Sequence, residues 1–349
     1  MRSIYSLLFV VWIFITACNK PEVAPVEMVK GLDLPDHFPS PVYDFSANPY
    51  KEEIFLLGRD LFYEPKLSAN NTIACGSCHL QSNAFTHHGH NVSHGINDQL
   101  GKRNALPLFN LAWQPIFFWD GGVPNLDLTS LNALHSPVEM DERIENVLIK
   151  LAEDEKYPTR FEEAFGNAEI TSQRFLQALS QFMYSMISSQ SKFDKVQLGE
   201  ASFWDDELKG QALFEQKCSP CHAGVLLTDF SFRNNGLPIN HDFERGREEI
   251  TLSEADRGKF KVPSLRNIAV TGPYMHDGRF RTLRQVLDFY STGVQSSETL
   301  DPLLQAEDTP GIALSEIEKT QLIAFLETLT DYEFIRDKRF SETNDDFTK

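Results

Sequence analysis

The stretch Phe214-Glu215-Gln216-Lys217-Cys218-Ser219-Pro220-Cys221-His222-Ala223-Gly224 decides the fold class. Its Cys218, Cys221 and His222 form a C-x-x-C-H, the attachment signature of a c-type haem. Residues three and four apart on a helical turn are neighbours, so both thiols and the imidazole share one face. The thiols can then bond the porphyrin vinyls while His222 reaches the iron. A second copy stands at Cys75-Gly76-Ser77-Cys78-His79. With 5 Cys and 10 His in 349 residues, chance supplies roughly 0.002 such matches, so two are not accidental. A zinc or redox C-x-x-C explains neither the histidine nor the pairing. The sequence therefore calls for two covalently bound haem c groups.

Outward from each motif the pattern repeats. Gly210-Gln211-Ala212-Leu213-Phe214 leads into Cys218, and Gly58-Arg59-Asp60-Leu61-Phe62 runs ahead of Cys75. Such duplication suggests a mainly α fold of two cytochrome c-like haem domains with a shared interface, at 51–197 and 198–331. Helical spacing begins at Glu52 with Ile54, Phe55, Leu57 and Leu61, and a second helix is expected from about Glu139 to Glu153. A third, about Ser172 to Ser188, sets Phe175, Leu179, Phe182, Met183 and Met186 on one face, which reads as core. Ser315 with Glu318 makes a capping box for a last helix carrying Leu322, Phe325, Leu326 and Leu329, expected to pack on the second haem domain. The stretch from the second motif to Arg266 reads as loops, and 332–349 as a charged tail that frays.

The N-terminus is not fold. Arg2 precedes an apolar run, Ile4 to Ile15, too short for a membrane span and typical of a signal peptide over 1–17. Ile15-Thr16-Ala17-Cys18 resembles a bacterial lipobox, which would make Cys18 a lipidation site and the membrane a partner only through that anchor; a buried or free thiol is the plainer alternative. Residues 18–50, rich in Pro and polar groups, suit a tether and an irregular lead-in. Export to the periplasm follows, as c-type haem attachment in bacteria requires. A length of 349 residues allows about two domains. The formal charge of −18 argues against nucleic acid, and fits either plain solubility or steering of a basic partner.

The sixth iron position decides what such haems do: a strong ligand favours electron transfer, an open one favours chemistry on dioxygen or peroxide. His87, His88, His90 and His94 follow the first motif, and His241, Met275, His276 and Tyr290 the second. Residue types alone do not choose among them.

Over about residues 50–330 the chain resembles the bacterial di-haem cytochrome c peroxidases and their relatives. The resemblance rests on both haem motifs, Lys102-Arg103-Asn104-Ala105, Phe118-Trp119-Asp120-Gly121, Pro137-Val138-Glu139-Met140, Val262-Pro263-Ser264-Leu265-Arg266-Asn267 and Thr271-Gly272-Pro273-Tyr274-Met275-His276-Asp277-Gly278. It implies that the haem of Cys75, Cys78 and His79 is peroxidatic and that of Cys218, Cys221 and His222 receives electrons. It implies that Trp119 lies between them as a conduit, although a core aromatic beside Phe117 and Phe118 is the plainer reading. Glu139 matches the distal carboxylate that moves a proton between the peroxide oxygens; a helix N-terminal charge is its alternative. The family also binds calcium, with ligands matching the Asn104 side chain and the carbonyls of Thr271 and Pro273, oxygens that suit a hard cation.

The chain departs from the peroxidases at three places. The position of their swinging distal histidine falls on Ile96, so the first haem is expected open at rest, His94 standing two residues away. The methionine ligand of the other haem is replaced by Tyr290, as in the subgroup that matures tryptophan tryptophylquinone, with Met275 the alternative ligand. Thr129 and Ala133 stand where the distal pocket normally has Gln and Pro. The resemblance thus implies an enzyme reducing hydrogen peroxide with electrons from a small donor, a cytochrome c or cupredoxin. Its rivals are an oxidase of a partner protein or small molecule and a non-catalytic electron-transfer dihaem. Family members are often dimeric, which leaves a homodimer open.

Overall fold

The computed structural model describes residues 31–240, 243–306 and 308–342. The signal peptide, Cys18 and His241 lie outside these residues. The fold is mainly helical, as the sequence implies. α1 (Glu52–Phe62) has Glu52 and Glu53 in its first turn and Arg59 in its last, charges that complement the helix dipole. After the short α2 (Cys75–Cys78) come α3 (Thr129–His135), α4 (Ile144–Ala152), α5 (Tyr157–Phe165) and α6 (Ser172–Tyr184), whose first turn is capped by the Thr171 hydroxyl. The second half holds α7 (Lys192–Gln197), α8 (Asp205–Lys217), α9 (Glu248–Thr251), α10 (Leu283–Asp288) and α11 (Glu316–Glu327), which starts on the expected Ser315–Glu318 capping box. The one sheet among the described residues pairs β1 (Phe232–Arg233) antiparallel with β2 (Phe260–Lys261), Phe232 opposite Lys261.

The duplicated G-x-x-L-F has a shared geometric cause. α1 crosses α6 at Gly58, where a Cβ would lie 2.0 Å from the Ala178 carbonyl oxygen and 2.9 Å from the Phe182 Cβ. α8 crosses α11 at Gly210, where a Cβ would lie 2.0 Å from the Gln321 oxygen and 2.8 Å from the Phe325 Cβ. Each domain thus sets one helix backbone directly against another, and only glycine fits both crossings. The first core gathers Leu57, Leu61, Phe62, Phe175, Leu179 and Phe182; the second gathers Phe214, Leu322, Phe325 and Leu329. A smaller cluster of Leu237, Phe289, Val294, Leu300 and Leu304 underlies the segment that carries Tyr290.

Three expectations need correction. The helix expected from Glu139 starts at Ile144, because the backbone N–H groups of Glu139 and Asp141 both donate to the Ser136 carbonyl and Asp141 has a φ of 49°. Glu139 therefore sits on a turn, and the reading of it as a helix N-terminal charge does not hold. The helix expected to reach Ser188 stops at Tyr184, since the Ser188 N–H donates to Asn110 Oδ1 and its hydroxyl to Asp331 Oδ2. The described part of the expected tail does not fray. Phe334 and Phe340 are buried in the first core, and Tyr63 Oη donates to the Phe340 carbonyl at 2.8 Å.

The two halves share a buried ionic joint. Arg266, 1% exposed, donates from Nη2 to Asp194 Oδ1 at 2.6 Å and from Nη1 to Asp194 Oδ2 at 2.9 Å. Its Nε donates to the Val225 carbonyl, and His37 from the irregular segment 31–50 reaches Asp194 at 3.1 Å. Burial pushes the Asp194 carboxyl up, but Arg266, Ser191 and His37 together hold it below the usual carboxylate range.

Candidate haem cavities and the bridge between them

A cavity of about 780 Å³ opens in the first domain, with Cys75, Cys78 and His79 on its wall. That volume lies within the usual range of cofactor sites. His79 Nδ1 lies 2.7 Å from the Phe85 carbonyl. A carbonyl only accepts, so Nδ1 carries the proton and Nε2 keeps its lone pair for a ligand bond. Burial pushes the His79 imidazole down to about 4, so it is neutral at pH 7. Phe62, Leu179 and Met183 give the same cavity an apolar lining.

Glu139 lines it too, and its charge is felt by both thiols. Burial alone pushes its carboxyl above the ordinary glutamate value. The turn beneath it is propped from behind: the Ile96 N–H donates to the Glu139 carbonyl at 2.7 Å, and a Cβ on Gly95 would lie 2.1 Å from the Val138 oxygen. Ile96 is thus a buried strut. None of His87, His88, His90 and His94 lines the cavity. His94 instead lies 2.9 Å from His90 and 2.6 Å from Asp98 in an exposed loop. Thr129 and Ala133, one turn apart on α3, line the wall, but the Thr129 hydroxyl is spent on the Leu126 carbonyl at 2.7 Å. His135 also reaches this wall, which the sequence reading missed because a lone histidine on a helix gives no spacing signal.

At the second site, Cys221 and His222 fold back onto the Cys218 carbonyl at the end of α8. His222 Nδ1 lies 3.3 Å from the Leu227 carbonyl and 3.2 Å from that of Pro263, again leaving Nε2 for a ligand bond. Burial pushes this imidazole down to about 4. Tyr290 lies on a π-helical turn, Phe289–Gly293, directly after α10. Such turns are frequent at functional sites. Burial pushes its phenol up to about 12, and the nearby thiols of Cys221 and Cys218 add to the rise. Asn235 Nδ2 stands 3.4 Å from Tyr290 Oη and 3.6 Å from Met275 Sδ, so both candidate ligands meet at one amide. His276 faces elsewhere, stacked on Phe260 with centroids 3.8 Å apart.

Trp119 lines the first cavity and is fixed from several sides. Its Nε1 donates to the Asn104 carbonyl at 2.9 Å, and its own carbonyl accepts from the Lys261 N–H at 2.7 Å. Phe118 before it has a φ of 67°, a conformation held only where surroundings enforce it. Arg103 clamps Asp120 beside it and grips Glu244 with Nε and Nη2, each at 2.8 Å. Asn104 is the hinge point of this bridge: its N–H donates to the His276 carbonyl at 2.7 Å and its Nδ2 to the Asn91 carbonyl at 2.9 Å. Thr271 and the cis Gly272–Pro273 peptide lie on the loop ahead of His276. Among the described residues no group of three or more His, Cys, Asp or Glu side chains could hold a metal ion, and a calcium site built from carbonyl and amide oxygens would not form such a group.

Comparison with known proteins agrees with this geometry. The sequence profile of the di-haem cytochrome c peroxidase family matches residues 52–202. Methylamine utilization protein MauG of Methylorubrum extorquens is 35% identical over 305 residues, 84% of this chain and 82% of that protein. Cytochrome c551 peroxidase of Nitrosomonas europaea is 32% identical over 292 residues, 82% of each. The crystal structure of a MauG-like protein associated with microbial copper homeostasis superposes with a TM-score of 0.79 at 35% identity, covering 88% of this chain and 98% of that one. The chain belongs to the di-haem cytochrome c peroxidase and MauG family of oxidoreductases, and with that family carries two c-type haems.

Proposed function

We propose that this protein reduces hydrogen peroxide to water in the cavity of His79 and Glu139, drawing electrons through the second haem from a small donor, a cytochrome c or cupredoxin. The observation that carries this reading is the pairing of an apolar-lined cavity bearing two thiols and a neutral imidazole with a partly buried carboxylate and none of the four loop histidines. The donor set fits a covalently held haem: Cys75 and Cys78 for the thioethers with His79 on the iron, and likewise Cys218, Cys221 and His222. When bound, haem would supply the redox chemistry, delivering the two electrons that peroxide reduction consumes.

The chain's own residues handle protons and positioning. Peroxide reduction consumes two protons and two electrons per pair of waters formed. Cleavage needs one oxygen deprotonated and the leaving oxygen protonated, and Glu139, its carboxyl raised above the ordinary glutamate value by burial, can take the first proton and deliver it to the second oxygen. Trp119, tied to both halves by Asn104 and Lys261, bridges the route for electrons. Tyr290 would complete the second iron as a hard donor, favouring the ferric state and lowering the potential. A calcium ion on Asn104, Thr271 and Pro273 would brace the same bridge. Export to the periplasm, with Cys18 as a lipid anchor, and a homodimer belong to this reading as well; no helix among the described residues is long and apolar enough to cross a membrane.

The second reading is a MauG-like oxidase of a partner protein or small molecule, favoured by Tyr290 beside Asn235 and by the 35% identity to a MauG. Steady-state peroxide consumption with a reduced small cytochrome separates the two. Sustained donor oxidation supports the peroxidase, and none at neutral pH removes it.

A further inference from the structure

Lys261 is a lysine only 3% exposed, on β2 between the two domains. Its Nζ donates to Gln114 Oε1 and to the Ile116 carbonyl, each at 2.8 Å, and both acceptors are neutral. Its backbone N–H meanwhile holds the Trp119 carbonyl at 2.7 Å. One residue thus grips both ends of the 114–119 loop. Gln114 and Trp119 both line the first cavity, so the ammonium lies one side chain away from it.

Burying an ammonium without a carboxylate partner is costly, and a methionine of similar length would spare that cost. Burial pulls the Lys261 amine down to about 7, with Asp120 opposing the fall. Asp120 is itself clamped by Arg103, which also holds Glu244, while Arg247 donates to the carbonyls of Asp120 and Gly121. On the same strand segment, Lys259 is paired with Asp256. Among these described charged groups, Lys261 is the one with neither a carboxylate partner nor solvent around it.

We propose that Lys261 is a positioning residue that holds the Trp119 loop and, while protonated, raises the reduction potential of the haem in the His79 cavity. A buried positive charge stabilises the reduced, less positive iron, and the low local dielectric magnifies the effect. This rests on the reading that the His79 cavity holds the peroxide-reducing haem.

The test is spectroelectrochemical titration of the His79-cavity haem in the holoprotein from about pH 6 to about pH 8.5, using wild type, Lys261→Met and Lys261→Arg. In wild type the ferric/ferrous equilibrium should move towards ferric by roughly tenfold, about 59 mV for a one-electron couple, as pH rises through the lysine's range. Lys261→Met should sit at the low-potential limit across the range, and Lys261→Arg, which keeps its charge, at the high one. Equal potentials in wild type and Lys261→Met at every pH would overturn the proposal. If Lys261→Met does not fold, Lys261→Arg still decides: a pH slope as steep as wild type rejects it, and a flat high potential supports it. Peroxide turnover is measured separately on wild type. Turnover absent with the expected potentials rejects the functional reading alone; turnover present with pH-indifferent potentials rejects the role of Lys261 alone.

Discussion

Glu139→Gln separates a proton carrier from a structural residue. The substitution keeps shape and removes the titratable carboxyl. General acid–base catalysis contributes typically ~10²–10⁴-fold, which is about 2.7–5.4 kcal/mol of barrier at 1.36 kcal/mol per tenfold. The side chain is partly buried, and desolvation alone raises its carboxyl. A group whose folded value lies above its unfolded one favours folding while protonated and loses that contribution as pH rises through the folded value. Ionising Glu139 therefore costs stability, so the Glu139→Gln variant would be as stable as wild type or more so. Turnover of peroxide should fall by ~10²–10⁴-fold while the melting temperature holds or rises. In wild type, the acid limb of the pH–rate profile should lie above the ordinary glutamate value and be missing from the variant. A variant turning over within about threefold of wild type, or one losing activity only because it unfolds, would refute the assignment of Glu139 as the proton carrier.

Other perturbations probe the second haem and the frame. Tyr290→Met exchanges a hard oxygen for a soft sulfur, so the potential of the second haem should rise and its visible spectrum change; an unaltered spectrum would hand the site to Met275. Asp194→Asn leaves Arg266 buried with half its partner, at about 3–5 kcal/mol by chemical denaturation. Because Asp194 is held below the usual carboxylate range, its contribution is present above the ordinary aspartate value and drains as pH falls through the lowered one, so wild type and variant should converge in acid. Gly210→Ala drives a Cβ into the Gln321 carbonyl, an overpacking worth about 1–3 kcal/mol and visible as a lower melting temperature; an unchanged melting temperature would show that the α8–α11 crossing yields.

What the sequence made legible was local chemistry. C-x-x-C-H works by spacing on one turn, the Ser315–Glu318 box by two local hydrogen bonds, and the G-x-x-L-F repeat showed as duplication, while the helix crossings behind Gly58 and Gly210 came only from the fold. What stayed hidden was set by distant partners. A lysine reads as surface until β2 and the Trp119 loop close over Lys261. Phe334 and Phe340 stand among charged residues, and only the return of the chain to the first core buries them. The helix expected at Glu139 lost to a turn because Ser136, rather than the next helical turn, takes the backbone donors. Asn104 carried a motif resemblance, but its place between Trp119 and His276 came from backbone contacts that no residue pattern encodes.

We propose an asymmetric pair of sites: His79 would hold the first iron with its opposite side left open, and His222 with Tyr290 would close the second. Low-temperature EPR of the fully ferric protein as isolated tests it most directly. The expected spectrum combines an axial high-spin signal from the His79 haem with a low-spin signal that changes in Tyr290→Phe. Two low-spin signals, with no high-spin component, would mean that both irons are closed and would contradict a peroxide site in the His79 cavity.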